Sequence, residues 1–324
     1  MVARAAPDAP EAVPIDGSGD AFGELTSPYR RELLVHCYRM LGSIDDAEDA
    51  LQDALARAWR SRNTFQRAIS FRAWLYRIAT NACLDAIERR RRSREAEESL
   101  EVGPIPDDLL DETAAGPEAR YDAHESISLA FLTAIQLLPP RQRAVLILRD
   151  VLSWRASEVA DLLELSVPAV NSALHRARTT VSGRYAPVGT AVTHRPVDEP
   201  GRLRSILDRY VRAWEAADVV GLVALLRDDA VVSMAPGLAI TGRTEIGAFL
   251  TQSVFIEGMR IRLRPIRANM QPGFVLYSGS ATDAVLVAYA VVILHVDETR
   301  IARMDVFVDR RLIARFGVSA DLAA

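Results

Sequence analysis

The charge of this chain is sorted into blocks, and that sorting constrains its folding more than any single motif. Residues 28–94 carry 14 arginines against 8 acidic side chains, whereas residues 95–125 carry one arginine, Arg120, against 11 acidic ones. Residues 126–186 are basic again, with 7 arginines against 4 acidic residues, and residues 198–324 are neutral at 15 of each. Two basic units are therefore separated by a strongly acidic tether and followed by a neutral unit. The tether holds Gly103-Pro-Ile-Pro-Asp-Asp and Ala115-Gly-Pro-Glu, dipeptides that favour turns over regular elements. The formal net charge of −4 hides these opposed blocks and says little about partners. With 324 residues, 49% of them hydrophobic, the chain has the composition of a folded protein of two or three units.

Several classes are excluded at once. The two cysteines, Cys37 and Cys83, lack the spacing of a disulfide framework or a cysteine zinc site, and they fit a reducing, cytoplasmic setting. No apolar run is long enough to span a bilayer, so no membrane partner is expected. Residues 1–27 mix Ala, Pro, Gly and Asp without a basic start or apolar core, and are expected to form a disordered leader. Residues 187–200 form a second linker, leaving units at 28–94, 126–186 and 201–318 and a short tail at 319–324.

The first basic unit shows helical periodicity. Leu33, Leu34, Cys37, Tyr38 and Leu41 recur on one face, and the helix ends at Gly42. A second helix starts near Ser43 with Asp45 and Asp46 in its first turn, where carboxylates favour the positive end of the helix dipole. Its polar face carries Asp46, Glu48, Asp49, Gln52 and Asp53. A third helix, Phe71 to Arg92, buries Leu75, Ile78, Ala79, Ala82 and Ala86 and exposes Arg77 and Asn81. It ends in Arg89, Arg90, Arg91 and Arg92, whose guanidinium forks match phosphate oxygens.

Asp45-Asp-Ala-Glu-Asp-Ala-Leu-Gln-Asp-Ala, followed by Ser70-Phe-Arg-Ala-Trp-Leu-Tyr-Arg-Ile-Ala-Thr-Asn-Ala-Cys-Leu-Asp, resembles region 2 of sigma-70-type factors, in particular the extracytoplasmic-function (ECF) class. The resemblance implies that Asp46, Glu48, Asp49, Gln52 and Asp53 dock on the β′ clamp helices of RNA polymerase core. It implies as well that the third helix and the loop Asn63 to Ser70 read and open the −10 promoter element. Base capture requires a pocket with aromatic or polar walls, which singles out Phe65, Gln66 and Arg67, with Arg77, Asn81 and the arginine cluster as further DNA contacts. Core packing is the expected role of Trp74.

The second basic unit reads as four helices. Leu137-Leu-Pro-Pro-Arg-Gln-Arg marks a helix end, a break and a new start, and Ser157 to Leu163 is a short helix. Ser166 is suited to cap a longer helix, with Pro168 in the first turn. Val170, Leu174, Ala177 and Val181 face inward, leaving Asn171, Ser172, His175 and Arg176 outward, with Arg178 a further DNA contact. Two helices about a tight turn form a helix-turn-helix, whose second helix enters the major groove. From Leu138-Pro-Pro-Arg-Gln-Arg to His175-Arg-Ala-Arg the unit resembles sigma region 4, which implies −35 recognition and contact with the β flap. It departs from many members in having Glu164 where they have Gly, and Asn171 and Ala173 where they carry cations. Weak DNA binding by this unit alone is expected.

The neutral unit starts with helices at Leu203 to Glu215 and Val219 to Leu226. Ala230 to Met234, a helix from Thr244 to Ser253, and strands near 259–265, 274–278, 284–296, 301–308 and 312–315 follow, giving an α+β unit with an antiparallel meander. Tyr210-Val-Arg-Ala-Trp-Glu, Asp229-Ala-Val-Val-Ser-Met-Ala-Pro and Gly242-Arg-Thr-Glu-Ile-Gly-Ala-Phe-Leu resemble the SnoaL-like branch of the NTF2-like fold, a cone with a pocket. The architecture is similar to ECF factors of the sigma-J and sigma-G kind. Tyr289, His295, Asp297 and Asp305 match no catalytic pattern, and Arg260, Arg262 and Arg264 form either a solvated face or a docking surface.

The expected protein is thus multidomain: two all-α sigma domains and an α+β NTF2-like cone. It is a promoter-recognition subunit for polymerase core and promoter DNA, without catalysis, cofactor or metal. Its C-terminal domain is expected to modulate activity by contact with the sigma domains or the tether, with room for an unidentified small ligand. The competing reading is a ligand-sensing or enzymatic NTF2-like domain fused to a DNA-binding regulator. A plain helix-turn-helix repressor would not need the acidic helix.

Overall fold

The computed structural model describes residues 19–65, 70–92, 102–110, 126–185, 200–234, 237–297 and 299–323. Chain contacts divide the protein into a helical unit (Met1–Val102, Leu109–Ser126, Phe131–Ser182) and a mixed unit (Gly103–Asp108, Ile127–Ala130, Gly183–Ala324).

In the helical unit, α1 (Gly19–Leu41) starts inside the segment expected to be leader. Phe22 and Thr26 are buried, and the Phe22 ring meets Trp59 edge-on at 5.4 Å. Pro28 reads from sequence as a helix start, yet it lies within the helix, so the helix begins earlier than expected. Gly42, at φ 79°, ends the helix in a left-handed turn that a side chain would strain. Ser43 caps α2 (Ile44–Arg60) by accepting from the Asp46 N–H at 3.3 Å, and Ala47, Ala50, Leu51, Ala54 and Ala58 form its buried stripe. Helix α3 (Phe71–Arg92) buries Trp74, Leu75, Tyr76, Ala79 and Ala82. His36 of α1 is fully enclosed, with Nε2 2.9 Å from the Thr80 hydroxyl of α3 and its ring 5.0 Å from Tyr76.

The expected four helices follow. They are α4 (Leu129–Gln136), α5 (Pro140–Leu146) with a π-helical turn at Ile147–Val151, α6 (Ala156–Leu163) and α7 (Val167–Tyr185). Val159, Leu163, Val170, Leu174 and Ala177 are buried, as their spacing requires.

The mixed unit starts with α8 (Pro200–Glu215) and α9 (Val219–Leu225), the latter capped by Asp218. Strands β1 (Leu226–Met234) and β2 (Leu238–Thr241), helix α10 (Arg243–Phe249), then β3 (Met259–Ala268), β4 (Gln271–Ser280), β5 (Val285–Asp297) and β6 (Arg300–Phe307) follow. The sheet order is β2-β1-β6-β5-β4-β3. β3 to β6 form the expected antiparallel meander, but β1 joins β6 in parallel, and β2 was not anticipated. Ile206, Tyr210 and Trp214 of α8 pack on Ile261, Leu263, Phe274, Val292, Leu294 and Met304, which fill the inner face of the sheet. Tyr210 stacks on Phe274 at 5.5 Å.

Two C-terminal expectations are corrected. The strand expected at 312–315 is helix α11 (Arg310–Ala314), capped by Asp309, because the adjacent Leu312 and Ile313 are both buried, a helical and not an alternating pattern. The expected tail contains β7 (Asp321–Ala323), which pairs with β5.

Residues Gly103–Asp108 of the acidic tether belong to the mixed unit. The β3–β4 hairpin closes through two residues, Asn269 (φ 53°) and Met270 (φ 60°), with Ala268 paired to Gln271. A tight turn of this kind favours Asn-Gly, so Met at the second position is strained. Asp107 steadies it, accepting from the Met270 N–H at 2.6 Å and from Arg267 Nε at 2.9 Å. The Asn269 amide accepts from the Ile105 N–H at 3.0 Å and donates to the Ile127 carbonyl at 2.7 Å, so one buried side chain holds a residue within the tether and one just after it.

Two predictions follow from these buried polar contacts. Asn269→Ala leaves buried partners unsatisfied, at about 1–3 kcal/mol, so hydrogen exchange at the Ile105 amide is expected to accelerate at least about five-fold. Unchanged exchange rules out the clamp. Burial, aided by the Arg39 and Arg72 charges, pushes the His36 imidazole down to about 3 from 6.5, so the unfolded chain binds the proton first. Stability is therefore expected to fall below pH 6.5, by about 1.4 kcal/mol per pH unit from this group. In urea titrations of the full chain between pH 6.5 and 5, His36→Gln flattens that slope; an unchanged slope contradicts the assignment.

Candidate nucleic-acid interface

The acidic face of α2 is organised by its own helix and by α3. Asp49 and Gln52 are exposed, and Glu48 is half-buried. Asp46 pairs with Arg90 at 3.1 Å, and Asp53 holds Arg57, which also reaches Asp85 at 2.5 Å. Bonds from Asp85 and Asp53 raise the Arg57 guanidinium above its usual range. The expected polymerase-facing carboxylates and one of the expected DNA-facing arginines thus meet at the edge shared by α2 and α3.

On α3, Asn81 and Arg89 are exposed. Arg91 and Arg92 fork around Glu88 at 3.2 and 3.1 Å, and the Arg92 bond foremost holds the Glu88 carboxyl below its usual range. The arginine cluster is therefore partly self-neutralised and tethered along the helix end. Phe65 is half-buried against Phe71 and Trp74 at 5.6 and 5.4 Å, in one aromatic cluster. Trp74 itself is 7% exposed and serves as core. Gln66 and Arg67 lie outside the described residues.

In the helix-turn-helix, Ser166 accepts from the Ala169 N–H at 3.3 Å, and Pro168 stands in the first turn of α7. Asn171, Ser172, His175 and Arg176 are exposed on one face. Ala173 is buried, so a cation at that position would have to snorkel out of the core. Arg178 is drawn sideways: Asp150 takes it bidentately at 2.8 and 2.7 Å, raising its pKa. The outward face thus offers hydrogen-bonding groups for base edges with little free positive charge.

Sequence reasoning missed the contacts that join the two helical regions. Arg143, 3% exposed, donates to Met40 O at the end of α1 and to Ile135 O, Gln136 O and Leu138 O around the end of α4. Gln136 returns a bond to Arg39 O, and Arg39 reaches Ser126. Trp154 packs on Tyr76 at 5.2 Å, with the Arg72 guanidinium, held by Glu32, beside both rings. Arg77, an expected −10 contact, pairs with Glu164 in the helix-turn-helix turn at 2.7 Å. The one available signal was the odd Glu where the turn favours Gly.

Of the four candidates in the mixed unit, His295 and Asp305 meet, whereas Asp297 and Tyr289 make other contacts. His295 and Asp305 are buried 2.7 Å apart, with Arg303 2.7 Å from the other carboxylate oxygen. Burial opposes the Asp305 charge, but the bonds and charges of His295 and Arg303 hold its carboxyl below the usual range. In the strand registers they alternate with the inward Leu294 and Met304, on the outer face of the sheet. Asp297 pairs with Arg227 at 2.6 Å, and Tyr289 packs against the core. Arg260, Arg262 and Arg264 face away from the buried Ile261 and Leu263 and line, with Glu215, Leu322 and Ala323, an open groove of about 330 Å³. Among the described residues no cluster of His, Cys, Asp and Glu could hold a metal ion, and no helix is long and apolar enough to cross a membrane.

Comparison with known proteins gives the family. Residues 25–93 match sigma-70 region 2, residues 128–181 match sigma-70 region 4, and residues 207–304 match the SnoaL-like domain. The ECF RNA polymerase sigma factor SigG of Mycobacterium tuberculosis is 38% identical, over 95% of this chain and 87% of its own length. SigW of Bacillus subtilis is 30% identical, over 50% of this chain and 87% of its own. The crystal structure of the Mycobacterium tuberculosis sigma factor SigJ superposes with a TM-score of 0.60 at 20% identity, covering 91% of this chain and 99% of that one, so the fold is shared throughout. The chain belongs to the extracytoplasmic-function class of RNA polymerase sigma factors, with a SnoaL-like domain following region 4.

Proposed function

We propose that this sigma factor docks on core polymerase through the acidic face of α2 and separates the −10 element with α3 and the loop before it. The −35 element is then read by α7. The observation that carries this reading is the pairing, in one chain, of an exposed acidic face at Asp49 and Gln52 with a helix-turn-helix whose outward groups suit base edges. The clamp-helix contact is assigned to Asp46, Glu48, Asp49, Gln52 and Asp53, and the β flap contact to the region 4 helices. Phe65 forms one wall for a flipped base, while Asn81 and Arg89 face the strand. Asn171, Ser172, His175 and Arg176 face the major groove. Such a protein acts with polymerase in the cytoplasm.

The SnoaL-like domain modulates this activity by holding the tether between region 2 and region 4. Asn269 and Asp107 support that role, because they hold the tether at Ile105 and Asp107 and the chain just after it at Ile127, and its length and path set how far the two promoter-reading regions can part. The His295–Asp305 pair serves the packing of the outer sheet face.

Pull-down of full-length protein with core polymerase tests the docking face. Asp49→Arg is expected to weaken core binding by about ten-fold or more, as a like-charge or mismatched contact at an interface centre does. Asp218→Ala, on the SnoaL-like domain, is expected to leave it unchanged. Equal binding by all three proteins would contradict the assignment of α2.

A further inference from the structure

The turn between α6 and α7 needs a residue in the left-handed conformation, and Glu164 adopts it at φ 56°, ψ 48°. Glycine is the residue that meets this demand without a steric penalty, and Asn comes next. Glutamate does neither, and no packing requires it, since its side chain is 76% exposed. What the carboxylate does is bridge 87 positions of sequence to take the Arg77 guanidinium of α3 at 2.7 Å. Beneath this pair lies a packed contact between region 2 and region 4, formed by Trp154 on Tyr76 and by Arg143 on the end of α1.

This contact is incompatible with promoter binding. Elements at −10 and −35 lie about 25 base pairs apart, which at 3.4 Å per step is about 85 Å of duplex. A residue reading the −10 element cannot remain hydrogen-bonded to the turn of the helix pair that reads the −35 element. The described conformation is therefore one that must open.

We propose that Glu164 is a latch: its carboxylate holds region 4 against region 2 in the free protein and occupies Arg77 until polymerase and promoter draw the regions apart. The inference rests on the assignment of the two regions to separate promoter elements. Because the pair is exposed, with Arg77 at 43%, it biases an equilibrium and does not lock it. Its loss shifts the open-to-closed ratio about two- to five-fold. The packed contact below supplies the rest of the closure and gives the charge pair a fixed geometry in which to act.

The test is single-molecule energy transfer in the full-length protein, with dyes on cysteines introduced at Arg60 and Thr179. Both positions are exposed, whereas the native Cys37 and Cys83 are buried and resist labelling. Glu164→Asn keeps a residue that tolerates the turn and removes the charge; it is expected to raise the open-to-closed ratio two- to five-fold. Glu164→Gly, which relieves the backbone strain, is expected to open the protein to a similar degree. The swap Arg77→Glu with Glu164→Arg is expected to return the ratio to that of the parent, and high salt should erase the difference between parent and Glu164→Asn. An unchanged ratio in both single variants, or a swap that stays open, overturns the latch. Normal core binding by the parent alongside that result would leave the sigma-factor reading standing; failure of the parent to bind core would strike that reading instead.

Discussion

Arg143 occupies the interior of the helical unit, and among the described residues no carboxylate pairs with it. Its guanidinium is satisfied by carbonyl oxygens at the ends of two helices, α1 and α4, and by the Gln136 side chain. Helix C-termini carry unsatisfied carbonyls and the negative end of the dipole, so a cation there caps both helices at once. Burial pushes its pKa down to about 10, which leaves it charged at neutral pH. A buried charge held this way has little freedom: removing it takes a donor from the buried Met40, Gln136 and Leu138 carbonyls, and replacing it by Lys loses the planar fork that reaches them. In the described conformation this residue ties region 2 to region 4, alongside the Trp154 contact and the Arg77–Glu164 pair.

The mixed unit solves a different problem with the same economy. Its β3–β4 turn places Met270 in a left-handed conformation that suits glycine, and the acidic tether supplies the carboxylate that steadies it. Tether and domain are thus mutually dependent: Asp107 completes the turn, and Asn269 in that turn clamps the tether. In the proposed function, the domain that clamps the tether sets the reach of the promoter-reading regions. Its arginine groove on β3 leaves a second basic surface open to solvent.

Much of this was legible because it rests on short-range rules. The helix α3 runs from Phe71 to Arg92 as its stripe of Leu75, Ala79 and Ala82 requires, and the Ser43 and Ser166 caps sit where their hydroxyls meet freed N–H groups. What failed was long-range or depended on context. Pro28 did not start α1, because upstream Phe22 finds burial against Trp59. Leu312 and Ile313 read as strand residues by composition, yet adjacent burial made them a helix. The docking residues were assigned through the family resemblance, and the structure adds who holds them: Arg178 answers to Asp150, Arg90 to Asp46 and Arg77 to Glu164. No periodicity encodes such pairs, since each joins elements 28 or more residues apart. Only the misplaced glutamate in a turn that favours glycine carried a trace of one.

The central claim is that the chain confers promoter selection on RNA polymerase, and run-off transcription measures this directly. Purified core polymerase, the full-length protein and fragmented genomic DNA are combined, and transcript 5′ ends are mapped. The account predicts discrete start sites absent with core alone, each preceded by two shared sequence elements about 25 base pairs apart, centre to centre, as separate region 2 and region 4 contacts demand. Transcripts indistinguishable from those of core polymerase alone would contradict it.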